Sequence, residues 1–208
     1  MTASSPIRLV LFDMDDVLCA YDWRGRVAAL AALSGRSSAA LEADIWASGF
    51  EDAADRGEID ASSYLQGFAT RLGIPFSRCD WIANRRAAMT PWPDMLDMAR
   101  LIGERSTIAI LTNNGLLTRD AIDALFPELR AIFRERILFS AEFGTHKPGR
   151  QVYLRALARL GFQPGETLFT DDKLENVEGA VAAGLHGHVH QGPAALRARL
   201  KALGLSVP

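Results

Sequence analysis

Short apolar runs alternate with helical stretches through most of the chain, and this alternation constrains the fold more than any other feature. The first run, residues 7–12, is nearly continuous, which is typical of a strand buried on both faces of a parallel sheet. Further runs occupy residues 107–111, 137–139, 167–169 and, more weakly, 187–190. Apolar residues at three- and four-residue spacing separate them, as in 116–126, 151–160 and 177–183. The pattern predicts a doubly wound, Rossmann-like parallel α/β sheet.

Residues 19–88 interrupt this alternation. The segment is rich in Ala, Arg, Leu and acidic residues at helical spacing, and it shows no convincing strand. Pro91-Trp92-Pro93 then marks the return to the sheet, because prolines stop a helix and stiffen a linker. The sequence therefore predicts an α/β catalytic core made of residues 1–18 and 89–208, with an inserted all-helical cap domain at residues 19–88.

Composition and charge exclude several classes of protein. The net charge of -2 predicts neither a nucleic-acid surface nor a polybasic membrane patch. No stretch approaches the roughly 20 apolar residues that a membrane-spanning helix needs, and the apolar amino-terminal run ends too early for a signal peptide. Cys19 and Cys79 are far apart and form no Cys-x-x-Cys motif, which favours a reducing, cytoplasmic location. Nothing in the pattern indicates an oligomeric state.

Two pairs of aspartates follow predicted strands. Asp13 and Asp15 come directly after the first strand, and Asp171 and Asp172 come after the fourth. Acids after strands often cap turns, so the first pair alone is ambiguous. Ligands of open α/β sheets bind at the carboxyl ends of the strands, however, and carboxylates clustered there repel one another unless a cation neutralises them. Because hard divalent ions take oxygen ligands, the two pairs together predict a site for a hard divalent cation.

The second and third strands end in groups suited to an anion. Thr112 and Asn113 supply a hydroxyl and amides at the end of the second strand, and Lys147 precedes Pro148 shortly after the third. Of the 23 Lys and Arg residues only three are lysines, namely Lys147, Lys173 and Lys201. Lysine at two candidate positions in an arginine-rich chain indicates that a compact positive charge is needed there.

These motifs, in this order, resemble the four motifs of the haloacid dehalogenase-like hydrolases: Asp13-Met14-Asp15, Thr112-Asn113, Lys147-Pro148 and Asp171-Asp172. The likeness spans nearly the whole predicted core, and the stretch 171–180 is especially typical. The helical insertion, with its phrase Arg56-Gly57-Glu58-Ile59, is similar to the family's small helical cap. It resembles the branch that includes sugar-1-phosphate phosphatases and the amino-terminal phosphatase domains of epoxide hydrolases.

The resemblance implies a magnesium-dependent phosphatase that forms an aspartyl-phosphate on Asp13. Asp15 would then be the general acid and later the base. Thr112 and the Asn113 amide would bind phosphate, and Lys147 would offset the charge of nucleophile and phosphate. Magnesium would be bound by Asp13, the Asp15 carbonyl and Asp172. Asp171 would lie behind these ligands without binding the ion directly, and Asn176 would support the metal site. The implied partner is a small phosphorylated metabolite, with a sugar phosphate among the candidates.

Several features fit the family less directly. Asp16 stands where the family usually has Gly, and Asp is a residue that tolerates the left-handed backbone such a position requires. His186, His188 and His190 alternate along a predicted strand and are interpreted as structural rather than as a metal site. Lys173 could contact phosphate, pair with Asp171 or point to solvent. Trp46 and Phe50 fall at helical i, i+4 spacing, which more often means core packing than a pocket wall. Together with the charged Glu51 and Arg56, they are the cap candidates for lining the pocket.

Related activities remain as alternatives. A dehalogenase would share the fold and nucleophile, but Asp15 argues against it, since halide departure needs no protonation. A phosphonate hydrolase is disfavoured for the same reason, and because the segment 19–88 contains no lysine to form a Schiff base. A sugar phosphomutase keeps both aspartates, so the motifs do not distinguish it from a phosphatase. A catalytically silent binding or regulatory domain would be expected to lack at least one motif, and none is missing.

Overall fold

The main sheet has five parallel strands in the order β5-β4-β1-β6-β7. The computed structural model describes residues 6–207. In chain order the strands are β1 (Leu9–Phe12), β2 (Cys19–Tyr21), β3 (Met89–Pro91), β4 (Thr107–Thr112), β5 (Ile137–Phe139), β6 (Thr167–Asp171) and β7 (His186–Val189). All four residues of β1 are fully buried, because β1 is central and pairs in parallel with both β4 and β6.

The insertion is mostly helical. It contains α1 (Trp23–Ser34), α2 (Ser38–Leu41), a π-helical turn (Glu42–Trp46), α3 (Phe50–Asp55), α4 (Ala61–Leu72) and α5 (Arg78–Ala87). Side chains of Asp22, Ser37, Asp60 and Ser77 cap four of these helices. Buried aromatic residues form its interior, among them Phe50, Tyr64, Phe68 and Trp81.

One feature of the insertion differs from the sequence prediction. Cys19–Tyr21, expected to lie in an all-helical segment, is the strand β2, and it pairs antiparallel with β3 where the chain returns to the core. Three-residue strands are too short to show a period-two pattern, and their pairing partners lie about seventy residues apart, so the sequence gives no local signal for this ribbon. The division into core and cap domains at the predicted boundaries stays a prediction.

Helices cover both faces of the main sheet. The core helices are α6 (Pro93–Gly103), α7 (Leu116–Leu125), α8 (Glu128–Phe133), α9 (Arg150–Leu160), α10 (Leu174–Ala182) and α11 (Pro193–Ala202). Val10 and Phe12 pack in the layer that contains α6, α7, α8 and α11, whereas Leu9 and Leu11 pack against α9 and α10. Alternate residues of one strand thus enter opposite layers, which confirms the doubly wound α/β fold. Within residues 6–207, none of the helices combines the length and the apolarity that crossing a membrane demands.

The insertion contacts the core closely beside the carboxyl edge of the sheet. The Ser140 hydroxyl, in a 3-10 turn after β5, donates to the backbone carbonyl of Asp55 at 2.7 Å. His146 Nε2 lies 2.9 Å from Asp52 Oδ1. Gly57 has a φ of 73°, and a Cβ there would lie only 2.1 Å from the Ala141 carbonyl oxygen. A glycine is therefore required at this approach, both for its backbone conformation and for its missing side chain.

Candidate active site

The predicted catalytic residues meet at the carboxyl edge of the main sheet, beneath the insertion. Asp13 directly follows β1, Thr112 ends β4 and Asp171 ends β6. A cavity of about 360 Å³ opens over them. Of the predicted site residues, seven line this cavity: Asp13, Asp15, Thr112, Asn113, Lys147, Asp172 and Asn176. The eighth, Asp171, is fully buried and lies below them.

Lys147 joins two of the aspartates. Its side chain is almost fully buried, and its Nζ lies 2.7 Å from Asp13 Oδ1 and 2.6 Å from Asp171 Oδ2. Burial alone would lower the pKa of Lys147, but the attraction of Asp13 and Asp171 outweighs burial and raises it. Lys147 is therefore a fixed positive charge between two carboxylates.

The two carboxylates that share Lys147 differ in acidity. Burial, reinforced by the charge of Asp171, raises the pKa of Asp13 to about 7 although Lys147 opposes this. Burial also acts on Asp171, but Lys147 and the hydrogen bond from Asn176 outweigh it, so the pKa of Asp171 falls below its usual value. Asp13 is thus the carboxylate whose charge the surrounding protein compensates least, and an added cation would favour its ionised form.

Asp171 and Asp172 occupy different environments. Both oxygens of Asp171 accept hydrogen bonds, from Lys147 Nζ, from Asn176 Nδ2 at 3.0 and 3.1 Å, and from the Lys173 backbone at 2.9 Å. Asp172 is partly exposed and faces the cavity, and its pKa is raised by burial and by the nearby charge of Asp171. Asp172 thus presents its carboxylate to the cavity and Asp171 does not, and which of the two would bind a metal directly stays a prediction.

A divalent cation fits this group of acids. Asp13, Asp171 and Asp172 each offer a carboxylate oxygen, and these three oxygens lie within 4.8 Å of one another. Hard cations such as Mg²⁺ favour carboxylate oxygens and retain waters that a phosphate can replace. The Asp15 side chain does not belong to this group, which leaves it available for another task.

The end of β4 combines Thr112 with two asparagines. The Asn113 side chain donates to the Lys147 carbonyl at 2.9 Å and accepts from the Lys147 backbone N–H at 2.8 Å. A phosphate contact by Asn113 would therefore fall to its backbone amide. Asn114, which the sequence analysis did not single out, donates from Nδ2 to the Thr112 hydroxyl at 2.8 Å and orients it.

Asp15 is held by a residue of the insertion. Its Oδ2 accepts from Arg85 Nη2 at 2.8 Å, and the Asp15 side chain is 22% exposed. The neighbouring Asp16 has a φ of 57°, in the left-handed region expected for a position where the family usually has Gly. Its side chain accepts a hydrogen bond from the Tyr21 backbone at 3.0 Å, so Asp16 also stabilises the turn.

Besides Asn114, sequence reasoning missed five cavity residues: Tyr21, Trp23, Arg26, Asp55 and Arg85. Both arginines are almost fully buried. Arginine is the common basic residue of this chain, so nothing in the sequence separates these two from the exposed ones nearby, such as Arg24 and Arg86. Tyr21 belongs to the short strand that escaped detection.

The remaining candidates divide between cavity and packing. Trp46 and Glu51 line the cavity, as does Lys173. Phe50 instead stacks on Tyr64, with ring centroids 5.1 Å apart, and Arg56 pairs with Asp52 and Glu58 outside the cavity. His190 stacks on Trp92, and within the described residues the metal-binding grouping of acids includes no histidine.

The sequence matches a known family model. Residues 7–184 match the model described as haloacid dehalogenase-like hydrolase. With the sheet-edge motifs already described, this match shows that the chain belongs to the haloacid dehalogenase-like hydrolase family, and the protein is a hydrolase of that family.

Known relatives share most of the chain. The sesquiterpene phosphatase astK of Aspergillus oryzae is 27% identical over 187 residues, which cover 86% of this chain and 88% of the relative. An enzyme of the same family from Bacteroides thetaiotaomicron, solved with magnesium and inorganic phosphate, superposes with a TM-score of 0.73 at 18% identity, covering 89% of this chain and 95% of the other. The L-2-haloacid dehalogenase of Xanthobacter autotrophicus superposes with a TM-score of 0.62 at 22% identity, covering 87% of this chain and 76% of the other. The two structural likenesses establish the fold.

Proposed function

We propose that the protein is a magnesium-dependent phosphatase that hydrolyses a small phosphate monoester through an aspartyl-phosphate on Asp13. The observation that carries this proposal is the grouping of Asp13, Asp171 and Asp172 around the buried Lys147 at the sheet edge. A cavity of about 360 Å³ is near the lower end of the usual range for small-molecule sites, which favours a small metabolite. The net charge supports neither a nucleic-acid nor a membrane partner, and we place the reaction in the cytoplasm.

The chain's own residues supply most of the steps. Asp13 attacks phosphorus, and the bond to the leaving-group oxygen breaks as Asp15 donates a proton to that oxygen. Asp15 then takes a proton from the water that hydrolyses the aspartyl-phosphate, releasing inorganic phosphate. Thr112 and the Asn113 amide bind phosphoryl oxygens, and Lys147 offsets their charge. Magnesium, held by Asp13, Asp172 and the Asp15 carbonyl, would offset the charge shared by the carboxylates and the phosphate.

The Asp15 side chain favours phosphate over halide chemistry. It lies outside the acid grouping, it faces the cavity, and Arg85 fixes its position. An acid at this place serves an alkoxide leaving group, whereas a halide needs no proton. The curated relative that covers most of this chain is named a phosphatase, which also supports the proposal.

Hydrolysis of p-nitrophenyl phosphate tests the proposal. We expect activity with Mg²⁺, loss of activity in excess chelator, and loss in Asp13→Asn with Mg²⁺ present. Asp97→Asn is the matched control, because Asp97 is exposed on α6, pairs with Arg100 and does not line the cavity. Full activity in chelator would contradict the metal assignment, and an active Asp13→Asn would contradict the nucleophile.

A further inference from the structure

Two buried arginines form a positively charged wall on the cap side of the cavity. Arg26 extends from α1 and Arg85 from α5, and their exposed fractions are 3% and 5%. The Tyr21 hydroxyl bridges them, accepting from Arg26 Nη1 at 2.7 Å and from Arg85 Nη1 at 3.0 Å. We call Tyr21, Arg26 and Arg85 the arginine wall.

The arginine wall has unused hydrogen-bond donors. Arg26 Nη2 and Arg85 Nε are buried and have no hydrogen-bond partner among the described residues. A buried donor without an acceptor is unfavourable, and more so when it is charged. Both residues line the cavity that contains Asp13, so an anion in that cavity would lie beside their guanidinium groups.

Arg26 also lacks an opposite charge in contact. Its other hydrogen bond goes to the neutral Asn84 side chain at 3.1 Å, and within residues 6–207 no carboxylate lies close enough to form an ion pair with it. The rings of Trp46, Phe68 and Trp81 lie 5.6–5.9 Å from its guanidinium carbon. Aromatic faces attract the cation but accept no strong hydrogen bond, so they do not replace an anion.

The nearby acids do not contact Arg26. Asp15 is paired with Arg85, and Glu51 attracts Arg26 only from beyond ion-pair distance, because its side chain accepts a hydrogen bond from Tyr64 at 2.6 Å. Burial, reinforced by the charge of Glu51, raises the pKa of Asp55 well above its usual value, which favours its neutral form. A second void of about 10 Å³ behind the two arginines is at the limit for one water. A water there would accept hydrogen bonds but would bring no charge.

We infer that the arginine wall binds a second anionic group, a carboxylate or a phosphate, carried by the leaving-group portion of the substrate. The position follows from Arg85, which contacts Asp15, the residue proposed to protonate the leaving-group oxygen. An anion attached close to that oxygen faces the guanidinium groups, whose planar arrangement of donors suits carboxylate and phosphate oxygens. The inference rests on the proposed phosphatase function and narrows its substrate class to phosphate esters or anhydrides with an anionic leaving group.

Three substrates that differ in the leaving group test the inference. Glycerol 3-phosphate leaves a neutral alcohol, 3-phosphoglycerate leaves a carboxylate-bearing alcohol, and pyrophosphate leaves a phosphate. We expect kcat/KM to favour at least one anionic leaving group over glycerol by tenfold or more. Whether 3-phosphoglycerate or pyrophosphate is preferred identifies the anion. Equal or lower kcat/KM for both, relative to glycerol 3-phosphate, would overturn the inference.

The variant Arg26→Gln tests whether Arg26 causes the preference for an anionic leaving group. It should reduce the ratio of anionic to neutral kcat/KM by about tenfold to a hundredfold, as expected for hydrogen bonds to a charged group. Arg24→Gln is the matched control, because Arg24 is exposed on the same helix. A purely structural role would lower kcat/KM for all substrates alike and leave the ratio unchanged, which would contradict the assignment.

Two further measurements keep the test decisive. If Arg26→Gln does not fold, Arg26→Lys retains the charge but loses the planar donors, and the ratio should fall partway. Thermal unfolding of the wild type with D-glycerate or pyrophosphate, against glycerol, measures binding without turnover. If p-nitrophenyl phosphate is not hydrolysed, the proposed function fails by itself, and the inference is then decided by whether either anion raises the Tm of the wild type above that with glycerol and raises the Tm of Arg26→Lys less. No increase for either anion would overturn it.

Discussion

Two surfaces of the cavity carry opposite charges: a floor rich in carboxylates at the sheet edge, and the arginine wall on the cap side. The floor gathers Asp13, Asp171 and Asp172 at strand ends, with Lys147 fixed between two of them. The arginine wall comes from two helices of the insertion, and one of its charges, that of Arg26, has no ion-pair partner in the described chain. The floor is therefore suited to a cation and a phosphoryl group, whereas the wall is suited to another anion.

The comparison teaches that the two surfaces depend on different levels of structure. The floor depends on short loops that directly follow buried strands, so its geometry is tied to the sheet. The wall depends on how the insertion docks, through contacts such as the Ser140 hydroxyl with the Asp55 carbonyl. Asp15 and Arg85 join the two surfaces. Substitutions on the floor should therefore alter the chemical steps, and substitutions in the wall should alter discrimination between substrates.

The largest effect is expected at Asp15, where the two surfaces meet. Asp15→Asn keeps the backbone carbonyl but removes the acid, so phosphoenzyme formation from an alkyl phosphate should slow by about a hundredfold to ten-thousandfold. Formation from p-nitrophenyl phosphate should slow less, because p-nitrophenolate departs without a proton. Single-turnover measurements separate this step from hydrolysis of the intermediate. Equal slowing for both substrates, with unchanged magnesium affinity, would show that Asp15 is not the acid.

Lys147→Ala should give the next largest effect, because it removes the positive charge between Asp13 and Asp171. We expect kcat to fall by about a hundredfold to a thousandfold, as for other single electrostatic stabilisers. Lys201→Ala is the control, since Lys201 is exposed on α11. Near wild-type kcat at saturating substrate would remove Lys147 from the catalytic floor.

Arg85→Gln should have a smaller effect that distinguishes positioning from binding. If Arg85 acts by orienting Asp15, kcat for an alkyl phosphate should fall by about tenfold, in the range of a charged hydrogen bond. Arg85→Lys should restore part of the rate, and Arg86→Gln, at the exposed neighbouring position, should have no effect. A change in KM alone would assign Arg85 to substrate binding without a role in orienting Asp15.

The smallest effect on chemistry is expected where the insertion docks. Gly57→Ala places a methyl group against the Ala141 carbonyl and forces alanine into a positive φ. The free energy of unfolding should fall by more than the roughly 1–3 kcal/mol of backbone strain alone. Gly35→Ala is the control, because its φ is 72° and nothing lies within 4 Å of the added Cβ. If urea unfolding showed equal losses of unfolding free energy in the two variants, the close approach to Ala141 would add nothing to the cost of backbone strain.

The sequence predicted the floor well because its signals are local. Asp13, Thr112 and Asp171 come at the ends of apolar strands, and the parallel sheet brings those ends together. Lys147 was conspicuous because lysine is scarce in this chain. The assigned catalytic roles of these residues stay predictions until the variants are measured, but their proximity is a property of the fold.

The arginine wall could not be predicted from the sequence, because the burial of its residues depends on tertiary packing. Whether Arg26 is buried depends on aromatic residues far along the chain, such as Phe68 and Trp81. The four-residue spacing of Trp46 and Phe50 predicts one helix that presents both side chains on the same face. The chain instead leaves a π-helical turn at Trp46 and passes through Gly49, with a φ of 80°, before α3 begins, so only Trp46 faces the cavity.

The two hydrogen bonds between the Asn113 side chain and the Lys147 backbone give that asparagine the role of a neighbouring strand. Its amide pairs with the N–H and the C=O of one residue, as a peptide group does within a ladder, and thereby extends sheet-like order from β4 into the loop that carries Lys147. Aspartate at position 113 would present two acceptors and would repel the Lys147 carbonyl, and leucine would leave both backbone groups without a partner. The loop that carries the lysine is thus mechanically continuous with the cavity-facing end of β4, so the two should move as one body.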